Sequence, residues 1–336
     1  MQGNSGVTET SLTPAAPSPV PRSSTWLRTL RETVLLPALA AALPWTWGFR
    51  LLRRFAANAD LFPELTDAAC NGAQTVSPID DVTAWKQRYR LIRLVDHCDM
   101  FLLRTRSRRW LRKHADVEGA WPANGPFIAM SFHWGQGIWA LADLHSIGPP
   151  VRLLAAKLDK SEFGDDWVSY AYARSRNRTV ELAAGAPIIY VGGARRLLER
   201  ALADGHIVLA LYDLPPTAGH STLLTKVCDR VIKLPAGLAN LAAASGVPIV
   251  PFSLGIDYDS GRRQLRIEEP FLPASAQEFA DRLAVSLTRL IRMDTAAWHL
   301  SSHAPHFFAT EVDGSTEASP HRLGSGDSEN SRQAPR

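Results

Sequence analysis

The chain has 336 residues, 46% of them hydrophobic, which is enough for a sizeable core. Its net charge of +4 is modest, and no nucleic-acid motif or aromatic–glycine stacking signature accompanies it, so no nucleic acid is expected as a partner. Cys70, Cys98 and Cys228 show neither a CxxC pair nor metal-ligand spacing with histidine, so they read as thiols in a reducing compartment, with no metal site.

Residues 1–24 are rich in Ser, Thr, Pro and Gly and poor in large apolar residues. They read as a disordered tail, without the basic-then-apolar order of a secretory signal. Residues 25–114 read as an N-terminal helical, membrane-interacting region. Within it, Thr33 to Phe49 carries no charge, with Arg28 and Arg31 before it and Arg50, Arg53 and Arg54 after it. That stretch is shorter than the ~20 residues that cross a bilayer. Pro37 and Pro44 interrupt it, and Trp45 and Trp47 suit the headgroup level, so an interfacial segment fits better than a span. The alternative is an apolar helical hairpin packed on the rest of the protein. Residues 82–114 follow, with the helical apolar rhythm Trp85, Tyr89, Ile92, Val95, Phe101. A basic run (Arg104, Arg106, Arg108, Arg109, Arg112, Lys113) closes the region, either as a solvated helix face or as an attractor of lipid phosphate.

Residues 115–309 alternate short apolar runs with helical patterns. Strands are predicted at 126–132, 151–156, 187–191, 206–212, 247–254 and 263–268. Helices are predicted at 136–146, 162–174, 193–204, 235–245 and 275–292. That repetition argues for an α/β fold, with a mostly parallel central sheet flanked by helices. Residues 221–234 read as an irregular or short-stranded excursion, a turn is predicted at Gly119 to Gly125, and residues 310–336 read as a second disordered tail.

The most informative stretch is Ser131-Phe132-His133-Trp134-Gly135. It puts a histidine at the C-terminal end of a buried strand, where open α/β sheets bind ligands. Gly135 and Gly137 let backbone approach a ligand closely, and the N-terminus of helix 136–146 adds its dipole there. Either these glycines aim N–H groups at a substrate or they only make a tight turn. Trp134 and Trp139 read as walls of an apolar pocket.

Four blocks carry a family resemblance. They are VEGAWPANGPFIAMSFHWGQGIW, RRLLERALADGHIVLALYDLPPTAG, VIKLPAGLANLAAASGVPIVPFSLG and DTAAWHLSSHAP. In their order and spacing they resemble the lysophospholipid acyltransferase superfamily, and within it the bacterial lipid A late acyltransferases (lauroyl and myristoyl transferases). The resemblance covers about residues 85–305. It implies an acyltransferase at the cytoplasmic face of the bacterial inner membrane, peripheral or monotopic. Such an enzyme takes an acyl group from acyl carrier protein or coenzyme A, without a further cofactor, and gives it to a hydroxyl or amine of a lipid-type acceptor. The acceptors it suggests include lipid A, other glycolipids, amino lipids and aryl polyenes.

The family's catalytic pair is His-x4-Asp/Glu. Its histidine maps onto His133, but its acid maps onto Ile138, which cannot serve. A general base needs a partner that fixes its tautomer and stabilises the imidazolium. Asp213 ends strand 206–212 as His133 ends 126–132, so parallel neighbouring strands would bring both to one rim. A capping role before Pro215-Pro216 is the alternative for Asp213. Asp143 lies nearly three helical turns on, which is too distant, and Gln136 supplies a hydrogen bond without charge. Other candidate substrate-binding residues are Gly135, Gln136, Gly137, Arg195, Lys226, Arg230 and Lys233, the last three as phosphate ligands. If nothing replaces the acid, the chain is a catalytically impaired acyl- or lipid-binding protein of the same fold. A serine hydrolase is excluded by the lack of a Gly-x-Ser-x-Gly elbow.

Overall fold

The computed structural model describes residues 22–164, 166–214 and 221–308. The central strands are apolar on both faces, because helices cover both. Along β2 (Ile128–Ser131), Phe127 and Ala129 enter one cluster while Ile128, Met130 and Phe132 enter the other. This is the pattern of a parallel sheet covered on both sides.

The chain begins with α1 (Arg22–Leu30), a π-helical turn (Arg31–Leu35) and α2 (Leu36–Ala42). Then come α3 (Trp45–Ala56), α4 (Pro63–Gln74), α5 (Val82–Thr105) and α6 (Arg108–Lys113). The sheet-forming part contains β1 (Ala115–Glu118), β2, α7 (Gly137–His145), β3 (Val151–Ala155), α8 (Trp167–Ala184), β4 (Ile189–Tyr190), α9 (Arg195–Ala203) and β5 (Ile207–Leu211). A hairpin of β6 (Thr222–Val227) and β7 (Arg230–Pro235) precedes α10 (Ala236–Ser245), β8 (Ile249–Ile256), β9 (Arg263–Ile267), α11 (Ala276–Met293) and the short α12 (Ala304–Phe307). The seven-stranded sheet has the order β1-β9-β8-β2-β5-β3-β4. All its pairs are parallel except β8 with β9. The architecture is therefore α/β, with a mostly parallel mixed sheet flanked by helices.

Local signals set the helix ends. Asp81 caps α5 by accepting the Ala84 N–H, and Asp166 caps α8 by accepting that of Ser169. Ser275 caps α11 while Glu278 turns back to the Ala274 N–H. Gly185 and Gly246 end α8 and α10 in the left-handed conformation that favours glycine.

Several expectations need correction. Helix α8 starts at Trp167 and runs to Ala184, whereas 162–174 was expected, because Gly164 at φ 51° breaks the chain and Asp166 supplies the cap. Of the two readings of the excursion at 221–234 the short-stranded one holds: it is a regular hairpin turned by Cys228 and Asp229, both at positive φ. Two positive-φ residues make a tight hairpin turn, but Cys-Asp lacks the Asn-Gly signal that announces one. Strand β1, just before the expected turn at Gly119 to Gly125, was not foreseen. Only Ala115 of its four residues is buried, so no apolar run marks it. Helix α1 begins at Arg22, inside the stretch read as a tail. The rest of that tail, residues 1–21, and the second one at 310–336 lie outside the described residues.

The uncharged stretch Thr33–Phe49 is divided. Trp45 and Phe49 are buried against the sheet side, while Leu35, Leu39 and Trp47 stay 51–67% exposed. No helix among the described residues is long and apolar enough to cross a membrane. Much of the basic run serves the fold. Arg106 donates to the carbonyls that end α2 at Ala41 and Leu43, Arg104 to Ser175 on α8, and Arg112 to Ser146 after α7.

A buried ion pair ties the N-terminal helices to the sheet. Arg263 of β9 pairs with Asp99 of α5, both essentially unexposed. The same guanidinium lies 4.2 Å from the Trp45 ring centroid, and the Trp45 indole N–H donates to Gly261 O. Burial pushes the Asp99 carboxyl up to about 6, against the pull of Arg263. Removing one partner strands the other charge in the core. Asp99→Ala is therefore expected to cost about 3–5 kcal/mol in urea unfolding, and a loss under about 1 kcal/mol would contradict this role.

Candidate active site

Register brings His133 and Asp213 together. In the parallel pair β2–β5, Ser131 lies opposite Leu211, and the Tyr212 N–H continues the ladder to Ser131 O. Two residues further along each strand stand His133 and Asp213, at neighbouring positions on strands about 4.8 Å apart. The His133 Nδ1 lies 2.8 Å from Asp213 Oδ1, and the His133 backbone N–H reaches both carboxylate oxygens at 2.9 Å. The Trp298 indole N–H donates to Asp213 Oδ2 at 2.9 Å.

Asp213 is completely buried, and these donors satisfy it. A carboxylate accepts only, so His133 carries its proton on Nδ1 and leaves Nε2 as the free nitrogen. No other described residue bonds Nε2, and 29% of the His133 side chain is exposed. Burial lowers the ring's affinity for a proton, but attraction to Asp213 and the hydrogen bond outweigh it, so the pKa lies above the ordinary 6.5.

Ile138, where the resembled family places its acid, is 4% exposed and packs in the core beneath α7 with residues of β2, β3 and β5. A carboxylate there would be buried in apolar surroundings. Asp143 instead accepts the Trp121 indole N–H at 2.9 Å and lies 3.9 Å from Arg112. Gln136 is fully buried, and neither amide atom finds a partner, so it does not hold the ring.

Of the two readings of the glycines, Gly135 follows that of a tight turn. Gly135 sits at φ 71°, and a Cβ there would run into the Leu254 carbonyl. It lets the turn cross close to β8. Its N–H is spent on Ala297 O and that of Gln136 on Leu254 O, both at 2.9 Å, so neither can stabilise an oxyanion. Gly137 opens α7, where the Trp139 N–H is bonded to Gln136 O at 3.3 Å and those of Gly137 and Ile138 come too early in the helix for an intrahelical acceptor. Beside the turn lies a cavity of about 240 Å³, lined by Trp134, Gln136, Gly255, Tyr258, Asp294 and others. Trp134 thus walls a pocket, but one that Arg88, Asp257, Gln264 and Asp294 make largely polar, while Trp139 is packed in the core.

The hairpin register puts Lys226 and Lys233 on one face, while Arg230 is engaged elsewhere. Arg230 donates to Thr75 O and Phe308 O and stacks over the Phe308 ring, so it joins the hairpin to α4 and the C-terminal segment. Lys226 and Lys233 occupy the exposed face of the hairpin. Arg195 forms an exposed i,i+4 pair with Glu199, which accounts for a cation at the start of α9 without a bound anion.

Sequence reasoning missed Trp298 and His299. The His299 backbone N–H donates to His133 O at 2.7 Å, and its ring lies 2.6 Å from Gly135 O. Both lie far along the chain from His133, and only the Trp-His pair in the fourth quoted block hinted at them. Among the described residues no cluster of His, Cys, Asp or Glu could hold a metal ion. A comparison with known protein families finds no match for this chain, and a comparison with curated proteins finds none.

The geometry sets a pH signature. A histidine whose pKa is raised by folding adds stability that is complete below its ordinary value of 6.5 and is lost as pH rises through the raised value. Asp213→Asn removes the ionic attraction and about 1.5–3 kcal/mol of charge-assisted hydrogen bonding. Its stability deficit in denaturant titrations is expected to be largest at mildly acidic pH and smaller at alkaline pH. A deficit that grows with pH would contradict the pairing.

Proposed function

We propose that the protein is an acyltransferase. The observation that carries this reading is the exposed Nε2 of a histidine whose Nδ1 is held by a buried carboxylate at the rim of an α/β sheet. Such a nitrogen takes the proton of an acceptor hydroxyl or amine as that group attacks the carbonyl carbon of an acyl thioester. The tetrahedral intermediate then breaks its C–S bond. The proton on Nε2 passes to the departing thiolate, leaving an ester or amide, a free thiol and the neutral histidine. Asp213 keeps the ring in the productive tautomer and stabilises the imidazolium while the proton resides there. The first turn of α7 offers N–H groups and a helix dipole to the oxyanion. The four sequence blocks supply the thioester class, acyl carrier protein or coenzyme A, and the lipid-type acceptor.

His133→Ala is expected to abolish transfer from acyl thioesters to a lipid acceptor, and Asp213→Asn to slow it by about 10⁴, the loss seen when a serine-protease triad loses its carboxylate. Because the base acts in its neutral form, the rate is expected to rise with pH through a value above 6.5. Transfer that survives His133→Ala would remove His133 as the general base. Absence of any turnover would leave the acyl- or lipid-binding alternative.

The same reading places the protein on a membrane surface. Leu35 and Leu39 are exposed one helical turn apart, and Trp26, Leu27 and Trp47 are exposed nearby in the chain. Arg50, Arg53 and Arg54 follow on α3. Apolar side chains next to arginines suit the interface of an anionic bilayer. Each large apolar side chain withdrawn from water adds about 1.5–3 kcal/mol. Leu39→Glu with Trp47→Ala is therefore expected to weaken co-sedimentation with anionic vesicles by roughly 10-fold or more. Undiminished binding would remove this surface from the account.

A further inference from the structure

The segment Ala297–His299 grips the turn that carries His133. Ala297 O accepts the Gly135 N–H, Trp298 holds Asp213, and His299 bonds the carbonyls of His133 and Gly135. The other ring nitrogen of His299, Nδ1, lies 3.1 Å from Arg93 Nη1 on α5. A guanidinium can only donate, so Nδ1 must accept and the His299 proton must sit on Nε2. That N–H then donates to Gly135 O at 2.6 Å. Arg93 thereby selects the one neutral tautomer of His299 able to hold the turn.

The opposite orientation would set a ring N–H against the guanidinium and leave the Gly135 carbonyl facing a bare nitrogen. The titratable and charged groups that face the ring are Arg93, Asp96 and His97 from α5, with Arg176 of α8 bonded to Asp96, and His133 from the turn. Burial first, and then Arg93, push the His299 pKa down to about 4. The ring is thus neutral wherever His133 titrates.

We propose that His299 is a positioning residue. Held by Arg93 with its proton on Nε2, it pins the Gly135 peptide and so fixes the turn that aims the His133 ring at Asp213. His299 itself need not touch substrate. This assignment takes its importance from the reading of His133 as the general base, but its geometry can be tested without turnover.

The test is NMR titration of the full chain labelled with ¹⁵N-histidine, with the His133 signal assigned by its disappearance in His133→Ala. His299→Leu removes the donor to Gly135. The His133 pKa is then expected to fall from its raised value to 6.5 or below as the ring loosens from Asp213. His299→Gln offers an amide N–H for Gly135 and an oxygen for Arg93, and is expected to restore the raised value. That rescue separates positioning from general support of the fold. Should His299→Leu prove poorly folded, Arg93→Gln serves as the second variant, with the His299 midpoint expected to move upward from about 4 once the guanidinium is gone. An unshifted His133 pKa in His299→Leu, failure of His299→Gln to restore it, or an unmoved His299 midpoint in Arg93→Gln would each overturn the assignment. A protein that transfers no acyl group still gives a clear answer here, so failure of the proposed function and failure of this inference are distinguishable.

Discussion

A carboxylate with no solvent exposure is stable only when its oxygens find donors. Asp213 finds three: the His133 backbone N–H, the His133 ring N–H and the Trp298 indole. This cluster joins two strand ends and the segment after α11 at one point. It holds the turn after β2, orients His133 and gives Trp298 a polar partner within an apolar cage made with Phe307 and Phe308. The fold's C-terminal segment is therefore part of the site's construction. Its neighbour His299 repeats the pattern one step further out, with Arg93 as the fixed donor.

Ile138 stands where the resembled pattern carries an acid. In the resembled pattern the acid follows the histidine on the next helix. Here the same helical position faces the core, and the strand next to β2 provides the carboxylate. A carboxylate at the end of a central strand is fixed by the sheet ladder and has little freedom to turn away. Such a partner preserves tautomer and charge at Nε2 without the sequence motif.

The fold class, most central strands and the helices after them were legible because apolar runs and helical periodicity reflect burial directly. His133 and Asp213 were legible for the same reason, since each follows an apolar strand, and parallel order implies a shared rim. Strand β1 was hidden because an edge strand with one buried residue has no apolar run. Arg93 was hidden within the rhythm of Trp85, Tyr89, Ile92 and Val95, which marks α5 as a core helix and says nothing of a cation aimed inward. His299 and Trp298 depend on contacts 85 to 206 residues away in the chain, which no local pattern encodes. The packing role of Arg230 was not legible because charge in a sequence does not show direction. Its guanidinium turns to carbonyls and a phenyl ring.

The central claim is that Asp213 leaves His133 Nε2 open and nucleophilic. Carbethoxylation with diethylpyrocarbonate, mapped by peptide mass spectrometry, tests it most directly because the reagent acylates neutral imidazole nitrogen. The account predicts rapid modification of His133, sparing His299, with a pH midpoint above 6.5 that drops in Asp213→Asn. An unmodified His133 alongside labelled surface histidines, or a midpoint unaffected by Asp213→Asn, would contradict it.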